Sequence, residues 1–328
     1  MRIAVLDDYQ RSARDWADWS ALSADVTFFH EPIPRERLPE TLQDFDALVL
    51  MRERTAFPRD ILARLPALKL LVTTGMGNAS VDIAYLHERG VTVCGTGMAT
   101  VTHPGVSGAA QTQPRGAPGT VEVAWALILA VTKRVTLEDR ALRAGRWQLG
   151  LPTILAGATL GLAGLGRLGS AMIPPARAFG MEVIAWSQNL TAERAHELAV
   201  ARVSQDELLS RADILSIHLV LSDRTRGLLG APELAKMKPT AVLINTSRGP
   251  IVDERALIAA LRDGALAAAG LDVYDREPLP PDHEVLALDN VVLLPHLGYV
   301  SEPGMRLMYA DVVEDIAAFL RGAPIRVI

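Results

Sequence analysis

The chain has 328 residues, 49% of them hydrophobic and 22% charged, with a formal net charge of −5. That is the balance of a globular protein large enough for two domains, and it offers no basic field to a nucleic acid. A single cysteine excludes an internal disulfide framework, and seven dispersed histidines without H-x-x-x-H or cysteine-rich spacing argue against a metal site.

The opening MRIAVLDDYQ turns acidic too soon for a signal peptide. Strand candidates follow at Ile3–Leu6, Val26–Phe29, Ala47–Met51, Leu70–Thr73 and Val91–Cys94, with helical stretches between them. The last of these, Asp82–Glu88, stops before Gly90, a natural residue just past a helix end. Alternation of this kind builds a parallel sheet covered by helices. Cys94 sits in an apolar run and reads as core filler.

Met98–Pro118 carries glycines and prolines without an apolar period, so it reads as a long loop at a domain crossover, either a surface excursion or a lid or dimer arm. Val121–Leu142 reads as one helix, apolar nearly all round in its first half and therefore buried. The uncharged run Trp147–Gly166 has membrane-span length but is broken by Pro152 and glycines, so no span and a cytoplasmic location are expected.

Thr159–Ala163 then leads into Gly164-Leu165-Gly166-Arg167-Leu168-Gly169, a helix-length segment closed by Gly180, and a second apolar run, Met181–Trp186. Strand, G-x-G-x-x-G turn, helix and strand form the context in which a dinucleotide pyrophosphate rests on backbone N–H groups. Helices near Thr191–Leu198 and after Ser204 follow, the latter with Glu207 placed for a capping box. The remaining elements are strand Ile214–His218, helix Pro232–Met237, strand Ala241–Asn245, helix Asp253–Asp263, and strands Ala267–Val273 and Val291–Leu294. The last helix shows Met305, Met308, Val312, Ile316, Phe319 and Leu320 at helical spacing, and is expected to return to the first domain.

Open α/β sheets bind ligands beyond the carboxyl ends of their strands. Three polar residues fall there: Arg248 after AVLIN, Glu277 after AAGLDV and His296 after NVVLL. Removing a hydride from the carbon next to a carboxylate requires a base for the hydroxyl proton, and histidine suits that task near neutrality. A carboxylate on its second nitrogen fixes the tautomer, and an arginine fork grips a carboxylate or polarises a carbonyl.

With these residues the chain resembles the D-isomer-specific 2-hydroxyacid dehydrogenase family over nearly its whole length, most specifically in TLGLAGLGRLGSAM, ADILSIHLVLSDRTRGLLG, AVLINTSRGPIVDERALIAALRDG, AAGLDVYDREPLP and NVVLLPHLG. The resemblance implies an α/β fold of two doubly wound parallel-sheet domains. One is a Rossmann-type dinucleotide-binding domain over 119–296, the other a smaller flavodoxin-like substrate domain over 1–100 and 297–328, with 98–118 as the crossover loop. It implies Arg248, Glu277 and His296 as the catalytic set, acting on a small D-2-hydroxy acid or 2-oxo acid of the glyoxylate or hydroxypyruvate type. Cofactor contacts are implied at Gly164, Gly166, Arg167, Leu168, Gly169, Ser187, His218, Thr225, Thr246 and Asp272, the last to the nicotinamide amide. Substrate contacts are implied at Met76 and Gly77, with Arg52 nearby, and a homodimer is expected.

Four departures stand out. Where an acidic residue would hold the ribose 2′-OH, the chain has Trp186-Ser187-Gln188-Asn189, so NADP is expected to serve as well as NAD. Pro174-Pro175 falls inside the helix after the glycine turn, where an interior proline costs about 3 kcal/mol and forces a kink. The 98–118 excursion is long for the family, and Gly77 precedes Asn78-Ala79-Ser80 where G-V-D-N is usual. The rival expectation is a catalytically weak, NAD(P)-sensing regulatory protein of the same fold.

Overall fold

The computed structural model describes residues 1–97, 100–101, 113–114 and 117–328, arranged as two compact units, Met1–Arg115 with Ser301–Ile328 and Gly116–Val300. In the first unit β1 (Arg2–Val5), β2 (Asp25–Phe28), β3 (Ala47–Leu50), β4 (Leu70–Thr73) and β5 (Thr92–Gly95) form one parallel sheet in the order β2-β1-β3-β4-β5. This is the flavodoxin-like order. Strands β3 and β4 are buried at every position, which is why they read as unbroken apolar runs rather than alternating ones. The expected 98–118 loop lies mostly outside the described residues. Its described parts are β6 (Thr100–Val101) and β7 (Gln113–Pro114), an antiparallel pair, and residues 117–118, which are not loop but open the helix Ala117–Thr132.

Helix Glu302–Leu320 packs against β4 and β5; Met305, Met308, Val312 and Ile316 of the expected stripe are buried, whereas at its last turn Phe319 is half-buried and Leu320 is exposed. It also buries Asp315 completely, and Arg326 Nε donates to Asp315 Oδ1 at 2.8 Å. Burial pushes the Asp315 carboxyl up to about 7, against the pull of Arg326. Cys94 is buried in β5, its thiol pushed up to about 11 by desolvation, so it is core material.

The second unit holds β8 (Thr159–Ala163), β9 (Glu182–Trp186), β10 (Ala201–Arg202), β11 (Ile214–Ile217), β12 (Val242–Asn245), β13 (Ala268–Leu271) and β14 (Val291–Leu293), all parallel, in the order β10-β9-β8-β11-β12-β13-β14. Counted within the unit, that is the Rossmann order 3-2-1-4-5-6 with a seventh strand added. The capping box forms as the sequence suggests. Glu207 N–H donates to Ser204 Oγ at 3.1 Å, and Ser204 N–H donates to Glu207 Oε2 at 2.8 Å.

Two helix expectations are corrected. The segment expected as one helix over Val121–Leu142 is two, Ala117–Thr132 and Val135–Arg143, separated where Arg134 turns left-handed at φ 56°. The first is buried through Ala124, Leu127 and Ile128, and Trp125 stacks on Phe179 with ring centroids 5.4 Å apart. Likewise Pro174-Pro175 does not kink a helix interior. One helix ends at Ala171, a second runs Ile173–Ala178, and the prolines occupy its first turn, where no intrahelical donor is required.

Candidate active site

The strand register of the second unit aligns its site residues. Trp186 pairs with Ala163, Ala163 with Ile217, Ile217 with Asn245, and Asn245 with Leu271. The next residue of each strand therefore falls in one rank along the carboxyl edge: Ser187, Gly164, His218, Thr246 and Asp272. The ladder carries on through that rank. Gly164 N–H bonds Trp186 O at 2.8 Å, His218 N–H bonds Ala163 O at 2.8 Å and Asp272 N–H bonds Asn245 O at 3.0 Å. Five residues assigned to cofactor contact from separate stretches of sequence thus line one edge.

Beyond this rank stand the three catalytic candidates, Arg248 after β12, Glu277 after β13 and His296 after β14. His296 Nδ1 lies 2.6 Å from Glu277 Oε2, each side chain about one-quarter exposed. A contact this short between imidazole and carboxylate is a charge-assisted hydrogen bond, and it leaves Nε2 as the atom that can exchange a proton with a ligand. The other carboxylate oxygen, Glu277 Oε1, accepts Tyr274 N–H at 2.9 Å. Tyr299 stands edge-on to the imidazole, centroids 5.5 Å apart.

His296 itself has φ 55°, a left-handed backbone that histidine adopts more readily than bulkier residues but still at a cost. Asp272 holds it there. Its Oδ1 accepts Leu297 N–H at 2.6 Å and its Oδ2 accepts Gly298 N–H at 2.8 Å. The carboxylate is fully buried, and burial raises its pKa. The two N–H groups and His296 oppose that rise, while the charge of Glu277 adds to it. The residue assigned to the nicotinamide amide therefore also has a structural task, one that sequence reasoning did not reveal.

Arg248 is half-buried and donates to the Ser247 carbonyl at 2.7 Å, so its guanidinium is not bonded to Glu277 or His296. Its backbone is well fixed, because Asn245 Nδ2 donates to Arg248 O at 3.0 Å and Ser247 Oγ donates to Ile217 O at 2.8 Å. The next residue has to be glycine. A Cβ on Gly249 would lie 2.6 Å from Asp275 N and closer still to the Tyr274 carbonyl group. Tyr274 in turn donates its hydroxyl to Leu294 O at 2.8 Å, tying the end of β13 to that of β14. Tyr274 was not singled out from sequence, although a tyrosine next to a strand-end acid is a candidate for such a tie.

The glycine turn has the shape a dinucleotide needs. Gly164 has φ 104°, and a Cβ on Gly169 would collide with the Gly164 carbonyl, so the turn and the following helix close tightly. A Cβ on Gly166 would meet nothing within 4 Å, so the space beside the second glycine of the turn is open. Two buried polar atoms on the same edge, Thr246 Oγ1 and His218 Nδ1, have no hydrogen-bond partner among the described residues. Buried polar groups are normally paired, so these atoms fit a bound polar cofactor. Burial lowers the His218 pKa to about 4, so its ring is neutral at physiological pH, and its Nε2 lies 2.9 Å from Ser216 Oγ. Thr225 is used locally, its hydroxyl donating to Val220 O at 2.7 Å and accepting Ser222 N–H at 2.8 Å.

In the first unit, Met76 and Gly77 form an exposed turn after β4, and the Arg52 guanidinium lies against the neighbouring Gly75. Asn78, a departure from the family pattern, stitches this turn together. Its Nδ2 donates to Arg52 O at 2.7 Å and Thr73 Oγ1 at 3.0 Å, and its Oδ1 accepts Ser80 N–H at 3.0 Å.

Among the described residues no helix is long and apolar enough to cross a membrane, and no group of three or more His, Cys, Asp or Glu could hold a metal ion. The profile of the D-isomer specific 2-hydroxyacid dehydrogenase NAD binding domain matches residues 125–298. A glyoxylate reductase of Aeropyrum pernix is 38% identical, over 89% of this chain and 85% of its own length. A D-3-phosphoglycerate dehydrogenase of Archaeoglobus fulgidus is 31% identical, over 99% of this chain and 58% of its own. A phosphoglycerate oxidoreductase structure from Vibrio cholerae superposes with a TM-score of 0.86 at 35% identity, covering 98% of this chain and all of the other.

Proposed function

This chain belongs to the D-isomer-specific 2-hydroxyacid dehydrogenase family of NAD-dependent enzymes, and on that premise we propose that it interconverts a small 2-oxo acid of the glyoxylate or hydroxypyruvate type and its D-2-hydroxy acid. The observation that carries the reading is the 2.6 Å bond between His296 Nδ1 and Glu277 at the sheet edge that also bears the glycine turn. When bound, the nicotinamide gives or takes the hydride. The chain supplies everything else. His296 Nε2 delivers a proton to the oxygen of the oxo group in reduction and removes it in oxidation, and Glu277 stabilises the imidazolium that precedes the transfer. Arg248 serves the substrate with a fixed positive charge, for which its planar fork suits a carboxylate or a polarised carbonyl.

Gly164, Gly166, Arg167, Leu168 and Gly169 would hold the pyrophosphate, while His218, Thr225, Thr246 and Asp272 would line the nicotinamide side. Ser187 leaves the ribose without a carboxylate, so a 2′-phosphate is not repelled and NADP is accepted at least as well as NAD. Met76 and Gly77 are assigned the substrate carboxylate through their N–H groups, with Arg52 beside them. A homodimer is supported by a run of apolar side chains left in solvent, Trp147 75%, Leu151 92% and Ile154 75% exposed, which a second copy would cover. Absorbance at 340 nm, followed for glyoxylate, hydroxypyruvate and other small 2-oxo acids with NADH and NADPH, tests the reaction. Saturable oxidation of cofactor by at least one of them is expected. Cofactor binding without turnover of any would favour a regulatory protein instead.

A further inference from the structure

The second unit contains another histidine–carboxylate couple. His283 Nε2 lies 3.0 Å from Glu254 Oε1, and each side chain is 19% exposed. The other oxygen of Glu254 accepts the backbone N–H of Asp275 at 3.3 Å. His283 Nδ1 accepts Val285 N–H at 3.3 Å, so the ring hydrogen belongs on Nε2, and a neutral imidazole satisfies both partners at once. The couple lines a cleft of about 690 Å³ with Arg226, Asp253, Asp275 and Glu284, and neither Glu277 nor His296 belongs to that lining. The second couple is therefore outside the reaction site, yet it grips the main chain two residues before Glu277.

That segment has few other ties. Tyr274 is fixed by its hydroxyl and by the close approach of Gly249, and its N–H points at Glu277 Oε1. Between Tyr274 and Glu277 the Asp275 N–H is held by Glu254. The charged and titratable groups around the segment include Asp272, Tyr274, Glu277 and His296 at one end, and Asp253, Glu254, Arg226 and His283 at the other, while Arg276 within it and Arg255, Asp282 and Glu284 line the same cleft.

Resting on the reading of Glu277–His296 as the acid–base pair, we propose that Glu254 and His283 are positioning residues for it. His283 orients the Glu254 carboxylate, Glu254 anchors the Asp275 main chain, and the anchored segment delivers Glu277 to within 2.6 Å of the imidazole. Outer partners of this kind fix the orientation of the groups that act.

The test is proton NMR of the holoenzyme with 15N-labelled histidine, following the far-downfield Nδ1–H that a short imidazole–carboxylate bond produces, together with steady-state reduction of glyoxylate by NADPH. The variants are Glu254→Gln and His283→Asn. The glutamine keeps an oxygen for Asp275 but loses the charge that faces His283. The asparagine keeps an oxygen for Val285 N–H, as a good helix-capping residue, but cannot reach Glu254. Both variants are expected to move the His296 resonance upfield and to lower kcat about tenfold, with the KM for NADPH within about twofold, because the defect lies in aim rather than in cofactor binding. An unmoved resonance and unchanged kcat in both would overturn the proposal. Glu277→Gln is the control and must abolish the downfield signal. If it does not, the acid–base reading falls, and the positioning role with it.

Discussion

Substituting Gly249 by alanine tests how tightly the catalytic edge is assembled. The added methyl would stand 2.6 Å from Asp275 N and closer still to the Tyr274 carbonyl group, where ordinary contact begins at 3.4 Å, so the neighbouring main chain has to give by more than 0.8 Å. Nothing nearby is a flexible side-chain tip, since the obstructing atoms are the Tyr274 carbonyl and the Asp275 nitrogen. Tyr274 cannot simply retreat, because its hydroxyl is tied to Leu294 O at 2.8 Å and its N–H to Glu277 Oε1 at 2.9 Å. The displacement therefore passes to Glu277 and its bond to His296. A misplacement of about 1 Å commonly costs on the order of 100-fold in rate, and overpacking costs roughly 1–3 kcal/mol in stability. Gly249→Ala should lower kcat for glyoxylate reduction by about 100-fold, with NADPH affinity measured by fluorescence nearly unchanged. Thermal denaturation checks that the variant is folded at the assay temperature. A folded variant with kcat/KM within about threefold of the parent would refute the transmission from Gly249 to the acid–base pair.

His296→Ala is expected to lower kcat by about 10²–10⁴, the usual worth of general acid–base help, and an activity within about threefold of wild type would remove His296 from the reaction. Ser187→Asp places a carboxylate at the ribose and should shift the kcat/KM ratio toward NADH by about 100-fold, or ~2.7 kcal/mol; an unaltered ratio would show that Ser187 does not face the ribose. Asp315 has a folded pKa of about 7 against an ordinary 3.8, so the native state binds its proton more tightly than the unfolded chain. Its effect on stability is therefore unfavourable as pH rises through that window, by up to about 1.4 kcal/mol per unit. Asp315→Asn should lose this dependence, becoming more stable than the parent at pH 8 but not at pH 4 in urea melts. Parallel pH profiles would contradict it.

The parallel strands were readable because burial on both faces leaves continuous apolar runs, as in LLVT and TLGLA. The polar residues that follow them announced the site, since a strand end is where an open sheet exposes its loops to a ligand. What stayed hidden depended on distances between loops. The pairing of His296 with Glu277 was an inference from chemistry, but the engagement of Asp272 with Leu297 and Gly298 N–H needed coordinates, as did the left-handed turn at Arg134 that splits a seemingly continuous helix. Pro174-Pro175 shows the reverse error. Its local rule was sound, but the rule applied to a helix start rather than to an interior.

The clasp of Asp272 on the two residues after His296 bears on how this enzyme could be retuned. The main chain that carries the imidazole is set by one buried carboxylate, so any retuning of the loop beyond β14 has to leave Asp272 and its two N–H partners in place. Any replacement that cannot accept both N–H groups would disarm the histidine from beneath while leaving every reacting group present.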